Sequence, residues 1–117
     1  MKNIEKINYI ADHYGFISQR EMLIEECAEL IQAAQKLKRK RASDDVKGEE
    51  EATAHFVEEL ADVSIMVEQM KYLLPPFLHN CYDDTVTQKL DRQLERIEHS
   101  KELEVENYAR WRKGVNA

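Results

Sequence analysis

The chain has 117 residues, and its 23 acidic side chains outnumber 17 Lys and Arg, a net charge of −6. That balance excludes a nucleic-acid binder held by a broad basic surface. With 34% charged and 43% hydrophobic residues but only three Gly and two Pro, the composition favours long helices over a many-stranded sheet and fits one all-α domain, 1–117, with a modest core.

In chain order, Ile4, Ile7, Tyr9 and Ile10 recur at helical spacing, and Gly15 offers the left-handed conformation that closes a first helix over residues 3–13. Ser18 and Glu21 spell an S-x-x-E capping box, predicting a second helix from about Gln19 to about Arg41. It ends in Lys36, Lys38, Arg39, Lys40 and Arg41, cations that the helix dipole favours at a C-terminus, a simpler reading than a nucleic-acid patch. After a connection over 42–48, Glu49, Glu50 and Glu51 suit the positive first turn of a third helix, which runs to about Leu74 and stops at Pro75-Pro76. Residues 75–84 read as a loop. Asp84 or Thr85, the latter with Gln88 in a T-x-x-Q box, starts a fourth helix that turns Val86, Leu90, Leu94 and Ile97 inward and gathers Lys89, Arg92 and Arg96 on one face. Beyond Ser100, a tail (100–117) with Val105, Tyr108 and Trp111 either extends a helix or folds back. The expectation is a bundle of four to five helices.

One segment is written twice. Leu23-Ile24-Glu25-Glu26-Cys27-Ala28-Glu29-Leu30 returns 33 residues later as Phe56-Val57-Glu58-Glu59-Leu60-Ala61-Asp62-Val63. On a helix, residues i and i+3 share a face, so Glu26 with Glu29 and Glu59 with Asp62 form two carboxylate pairs. In so acidic a chain a single three-acid match has odds of roughly one in 125 per window and means little. The shared apolar register means more: Leu23, Cys27, Leu30, Ala34 and Leu37 in one copy, Phe56, Leu60, Val63, Val67 and Met70 in the other, both spaced 4-3-4-3. From that seam the acids lie about 60 and 120 degrees round to one side, beside the expected core stripe. Their own row is otherwise largely apolar: Met22, Glu26, Glu29, Ala33 and His55, Glu59, Asp62, Met66. Unpaired carboxylates are costly there, and a hard divalent cation removes the cost. The opposing reading, two solvated acidic faces, is the usual one for an acidic helix.

These residues resemble the E-E-x-x-E and E-x-x-D pair of the MazG-like all-α nucleoside triphosphate pyrophosphohydrolases, over a core of about residues 17–99. The resemblance implies Mg2+, or Mn2+ in its place, held by Glu26, Glu29, Glu59 and Asp62, and a (d)NTP cleaved to (d)NMP and pyrophosphate. Glu25 is the candidate either to orient the attacking water or to hold a water one step removed from the metal. Since the chain has no Gly-rich phosphate cradle, Lys89 and Arg92 are the candidates for the phosphates, with Arg96 a solvated cation, and Trp111 for stacking on a base. His55, one turn before Glu59, fits a supporting place better than ligation.

Apolar residues outside the seam, Ile24, Ala28 and Ile31 with Val57, Ala61 and Ile65, need more cover than a lone bundle gives, so a homodimer or dimer of dimers is expected. Cys27 and Cys81 match no metal spacing and read as thiols. Glu5 and Asp12 interrupt any signal-like run, and no segment nears the roughly 20 apolar residues of a membrane span, so a cytoplasmic chain off the membrane is expected. Three rivals stand beside this reading. A ferritin-like di-iron bundle would need E-x-x-H, which none of the His supplies; a phosphoribosyl-ATP or other nucleotide pyrophosphohydrolase would keep the fold and metal; a non-catalytic helical interaction module would leave the acids as surface.

Overall fold

The computed structural model describes residues 1–114; residues 115–117, the end of the expected tail, lie outside the described residues. The described residues form three helices, α1 (Asn3–Ala42), α2 (Val46–Leu73) and α3 (Pro76–Arg112), and no strand. The all-α expectation holds, but the helices are three where four to five were expected.

Local chemistry accounts for each difference. Gly15, at φ 81° and ψ 169°, sits inside α1 and kinks it, so the two expected N-terminal helices meet at a change of direction with no loop. A Cβ at Gly15 would touch nothing within 4 Å; the glycine is needed for its left-handed backbone alone. Ser18 lies inside the helix and caps nothing. The cap of α2 belongs instead to Asp45, whose side chain accepts the Gly48 backbone N–H at 2.9 Å. That hydrogen bond, aided by Lys40, lowers the Asp45 pKa.

The expected loop at 75–84 is helical, because Pro76 begins α3 at its first turn, where a fixed φ and a missing N–H are no handicap. Thr85 therefore sits mid-helix, its hydroxyl donating to the Cys81 carbonyl at 2.8 Å. Ser100 does the same to Arg96 at 3.0 Å, and the helix continues through the tail to Arg112.

The chain divides into two compact units, Met1–Leu74 and Pro75–Ala117. In the first, α1 and α2 pack as an antiparallel hairpin. Tyr72 donates its hydroxyl to Asp12 at 2.9 Å at one end, and Arg41 pairs with Glu49 at 2.9 Å at the other. The Asp12 bond raises the pKa of the Tyr72 phenol. Among the described residues the second unit is the single helix α3 and the turn that follows it.

The hairpin seam differs from the expected stripe. Its buried residues are Ala11, Gln19 and Ala33 on α1 and Ala52, Glu59, Met66 and Gln69 on α2. Three of the seven are alanines, small enough to let two helices approach closely. Ala33 and Ala52 each lie seven residues, two turns, from Glu26 and Glu59 respectively, so the contact made by the alanines carries the glutamates inward. Meanwhile Leu23, Cys27, Leu30 and Val63 are only half-buried, and Leu60 is 42% exposed. Ile24, Ile31, Val57 and Ile65 face solvent. Of the acidic row, expected beside the core, Glu59 is buried and Glu26 half-buried in the hairpin, while Glu29 and Asp62 are exposed.

Candidate metal centre

The antiparallel register brings the two copies of the repeated segment face to face. Glu26, Glu29 and Glu59 each offer an oxygen, and the three oxygens lie within 4.8 Å of one another. Asp62 completes the set electrostatically, as the strongest charged neighbour of Glu26. Three of the four residues named from the sequence are thus brought together from two helices, with Asp62 close to Glu26 but outside the three-oxygen group, as are the exposed Glu25 and Glu58.

Burial grades the four. Glu59 is 8% exposed, Glu26 is half-buried, and Glu29 and Asp62 are open. The Glu59 Oε1 sits 3.2 Å from His55 Nε2 one turn earlier. The other oxygen of Glu59, Oε2, is buried without a hydrogen-bond partner, and so is Oε2 of Glu26. Two shielded carboxylate oxygens with nothing to bond are the costly arrangement. The Glu26 pKa is raised first by burial, then by the charges of Asp62, Glu29 and Glu59, and by a hydrogen bond from its protonated form to Glu29.

The donor set fits a hard divalent cation: all oxygen, several carboxylates, and an open side at Glu29 and Asp62 for waters or further ligands.

Two cavities flank the carboxylates within the same hairpin. One, of about 280 Å³, shares Glu26 and Asp62 with the centre and has Tyr14, Met22, Ile65 and Met66 as apolar wall. The other, of about 510 Å³, is lined by His55, Lys36, Arg39, Gln32 and Gln35 among others. At the C-terminal end of α1, Lys40 is engaged by Asp45 at 3.4 Å and Arg41 by Glu49. Among the described residues Lys36 and Arg39 make no ion pair. The helix dipole is a sufficient local account of these cations in the sequence. The missed signal was spacing: Lys36 follows Glu29 by seven residues, two turns along the same face.

Lys89, Arg92 and Arg96 are exposed on α3, in the second unit. Trp111 is 73% exposed beside Tyr108, their ring centroids 5.8 Å apart. Cys27 and Cys81 are free thiols. No helix among the described residues is long and apolar enough to cross a membrane.

No family model matches the chain, and neither a curated protein nor a solved structure matches it.

Proposed function

We propose that the hairpin is the catalytic centre of a Mg2+-dependent nucleoside triphosphate pyrophosphohydrolase, converting (d)NTP and water to (d)NMP and pyrophosphate. The observation that carries this reading is the pair of buried, unpartnered oxygens on Glu26 and Glu59, which a divalent cation would satisfy. The resemblance of the two acidic motifs to the MazG-like pattern supplies the reaction class. The cationic cavity beside the centre supports a phosphate-bearing substrate in particular.

When bound, the cation would act as a Lewis acid on phosphate oxygens and lower the pKa of an attached water. Glu26, Glu29, Glu59 and Asp62 would hold the cation, and His55 holds the Glu59 carboxylate by the 3.2 Å contact. Water adds across the α–β anhydride, its oxygen ending on one phosphorus while the bridging oxygen leaves with the other fragment and the displaced proton passes to solvent. Lys36 and Arg39 balance the charge of the phosphates. The panel that tests the class is pyrophosphate release from common and modified NTPs and dNTPs with and without Mg2+; release that is absent from every triphosphate rejects it.

Two substitutions assign roles. Glu25→Gln is expected to lower turnover about 10- to 100-fold with Mg2+ affinity nearly intact, as for a residue that orients water through hydrogen bonds; unchanged turnover removes it from the mechanism. Lys36→Ala and Arg39→Ala are each expected to raise KM about tenfold, the loss of one charge-assisted phosphate contact. The same comparison at Lys89 and Arg92 decides between the two basic sets, since KM should follow whichever set meets the phosphates.

The exposed row of Ile24, Ile31 and Val57 is assigned to contact with a second copy of the chain, giving the expected homodimer or dimer of dimers. Sedimentation should show a species heavier than 13.8 kDa; a monomer at assay concentration refutes the assignment.

A further inference from the structure

The cavity of about 280 Å³ on the far side of the carboxylates from Lys36 contains polar groups that the metal does not use. Gln19 and Gln69, one from each helix, line it and are 4% and 2% exposed. A glutamine side chain is rarely so deeply buried unless its amide is bonded. The Gln19 oxygen nevertheless has no hydrogen-bond partner, an arrangement that is costly if nothing fills it. The capping box expected at Ser18 falls in this stretch, and the kink at Gly15 takes its place. By turning α1 there, Gly15 leaves Tyr14 and Ser18 to border the cavity mouth and sends Gln19 into the hairpin seam.

We infer that this cavity is a base-reading subsite, in which Gln19 and Gln69 bond the polar edge of a nucleobase whose phosphates extend over the carboxylates toward Lys36 and Arg39. The inference rests on the proposed reaction class, and deepens it by giving the substrate a direction. A nucleobase has the needed chemistry: two apolar faces, and an edge where donors alternate with acceptors. The faces suit Tyr14, Met22 and Ile65, which are partly exposed and gain cover from a flat ring. The edge suits a carboxamide, which carries a donor and an acceptor side by side. Turning the Gln19 amide over would present its N–H groups in place of its oxygen, and a base edge answers either arrangement. Two of its lining residues, Glu26 and Asp62, belong to the proposed metal centre, so a base in the cavity would have its sugar and α-phosphate directed at the cation. A free anion has no reason to enter beside those two carboxylates.

The test uses ligands that separate base from phosphate. The full chain and Gln19→Leu are titrated with each common nucleoside and, with Mg2+, with tripolyphosphate, following amide resonances by NMR. At least one nucleoside is expected to bind the parent chain and to bind Gln19→Leu at least about tenfold more weakly, because a site built to bond a polar edge loses that bond. Tripolyphosphate is expected to bind both equally. If Gln19→Leu fails to fold, Gln69→Leu on the other helix replaces it with the same expected weakening. Absence of nucleoside binding to the parent chain at millimolar concentration, or equal binding to parent and variant, overturns the subsite. Pyrophosphate release distinguishes the two levels: release from triphosphates without nucleoside selectivity removes this inference alone, and nucleoside binding without release from any triphosphate removes the reaction class alone.

Discussion

Glu59→Gln is expected to reduce Mg2+-dependent pyrophosphate release by at least about 100-fold, the scale on which deleting one charge-stabilising group slows an enzyme. In the same variant the metal-free chain is expected to be as stable as the parent, or more stable by about 1 kcal/mol, because an incompletely paired buried charge has been removed. Both effects come from one position. Glu59 is the most buried of the four acids, is held by His55 at 3.2 Å through Oε1, and leaves Oε2 without a partner. Glutamine keeps the shape and an acceptor for His55 but not the charge that a cation requires. Activity assays beside urea unfolding separate the alternatives. Retained release removes Glu59 as a ligand, and a stability loss of about 3 kcal/mol or more would make the His55 contact a structural ion pair in its own right.

The second large effect is on stability. Mg2+ at one hundred times its dissociation constant is expected to stabilise the parent chain by about 2.7 kcal/mol, and Glu26→Gln to remove most of that gain. The metal-free protein should also show an inverted pH dependence from Glu26. Its folded-state pKa is raised above the usual 4.5 by burial and by Asp62, Glu29 and Glu59. Below pH 4.5 the carboxyl is protonated in folded and unfolded chains alike, and its contribution is fully present. As pH rises beyond that point the unfolded chain releases the proton first, so stability falls until the raised folded value has been passed, and it remains lower at neutral pH. Divalent cation should restore most of what is lost. Melting curves with EDTA and with Mg2+ between pH 4 and 8 check both statements; a metal-free stability that climbs through this range, with no response to Mg2+, contradicts them.

What could be read in the sequence was what depends on helical period. The repeated spacing of Glu26 and Glu29 with Glu59 and Asp62 was enough to place them on two helices, and a short connection forces those helices antiparallel, which brings the acids face to face. The seam was misjudged because hydrophobicity was weighed above size. Leu23, Leu30 and Leu60 look like core, yet Ala33 and Ala52 set the helix contact because only small residues let the backbones close up. The helix count failed at two prolines and a glycine. Pro76 starts a helix where it was read as stopping one, and Gly15 bends a helix where it was read as ending one. Gln19 and Gln69 carried no legible signal, because a glutamine on an amphipathic helix is ordinarily at the surface and only the kink and the register put these two inside. Lys36 and Arg39 were visible but absorbed by a sufficient local explanation, the helix dipole.

The most direct measurement is a titration of Mn2+ into the protein followed by the free-ion electron paramagnetic resonance signal, for the parent chain and for Glu59→Gln. A hard-cation centre made by Glu26, Glu29, Glu59 and Asp62 requires saturable uptake by the parent, displacement by Mg2+, and at least about a tenfold weaker uptake by the variant. A signal that stays free in the parent, or uptake identical in both, would mean that the four carboxylates are a solvated acidic surface and hold no metal.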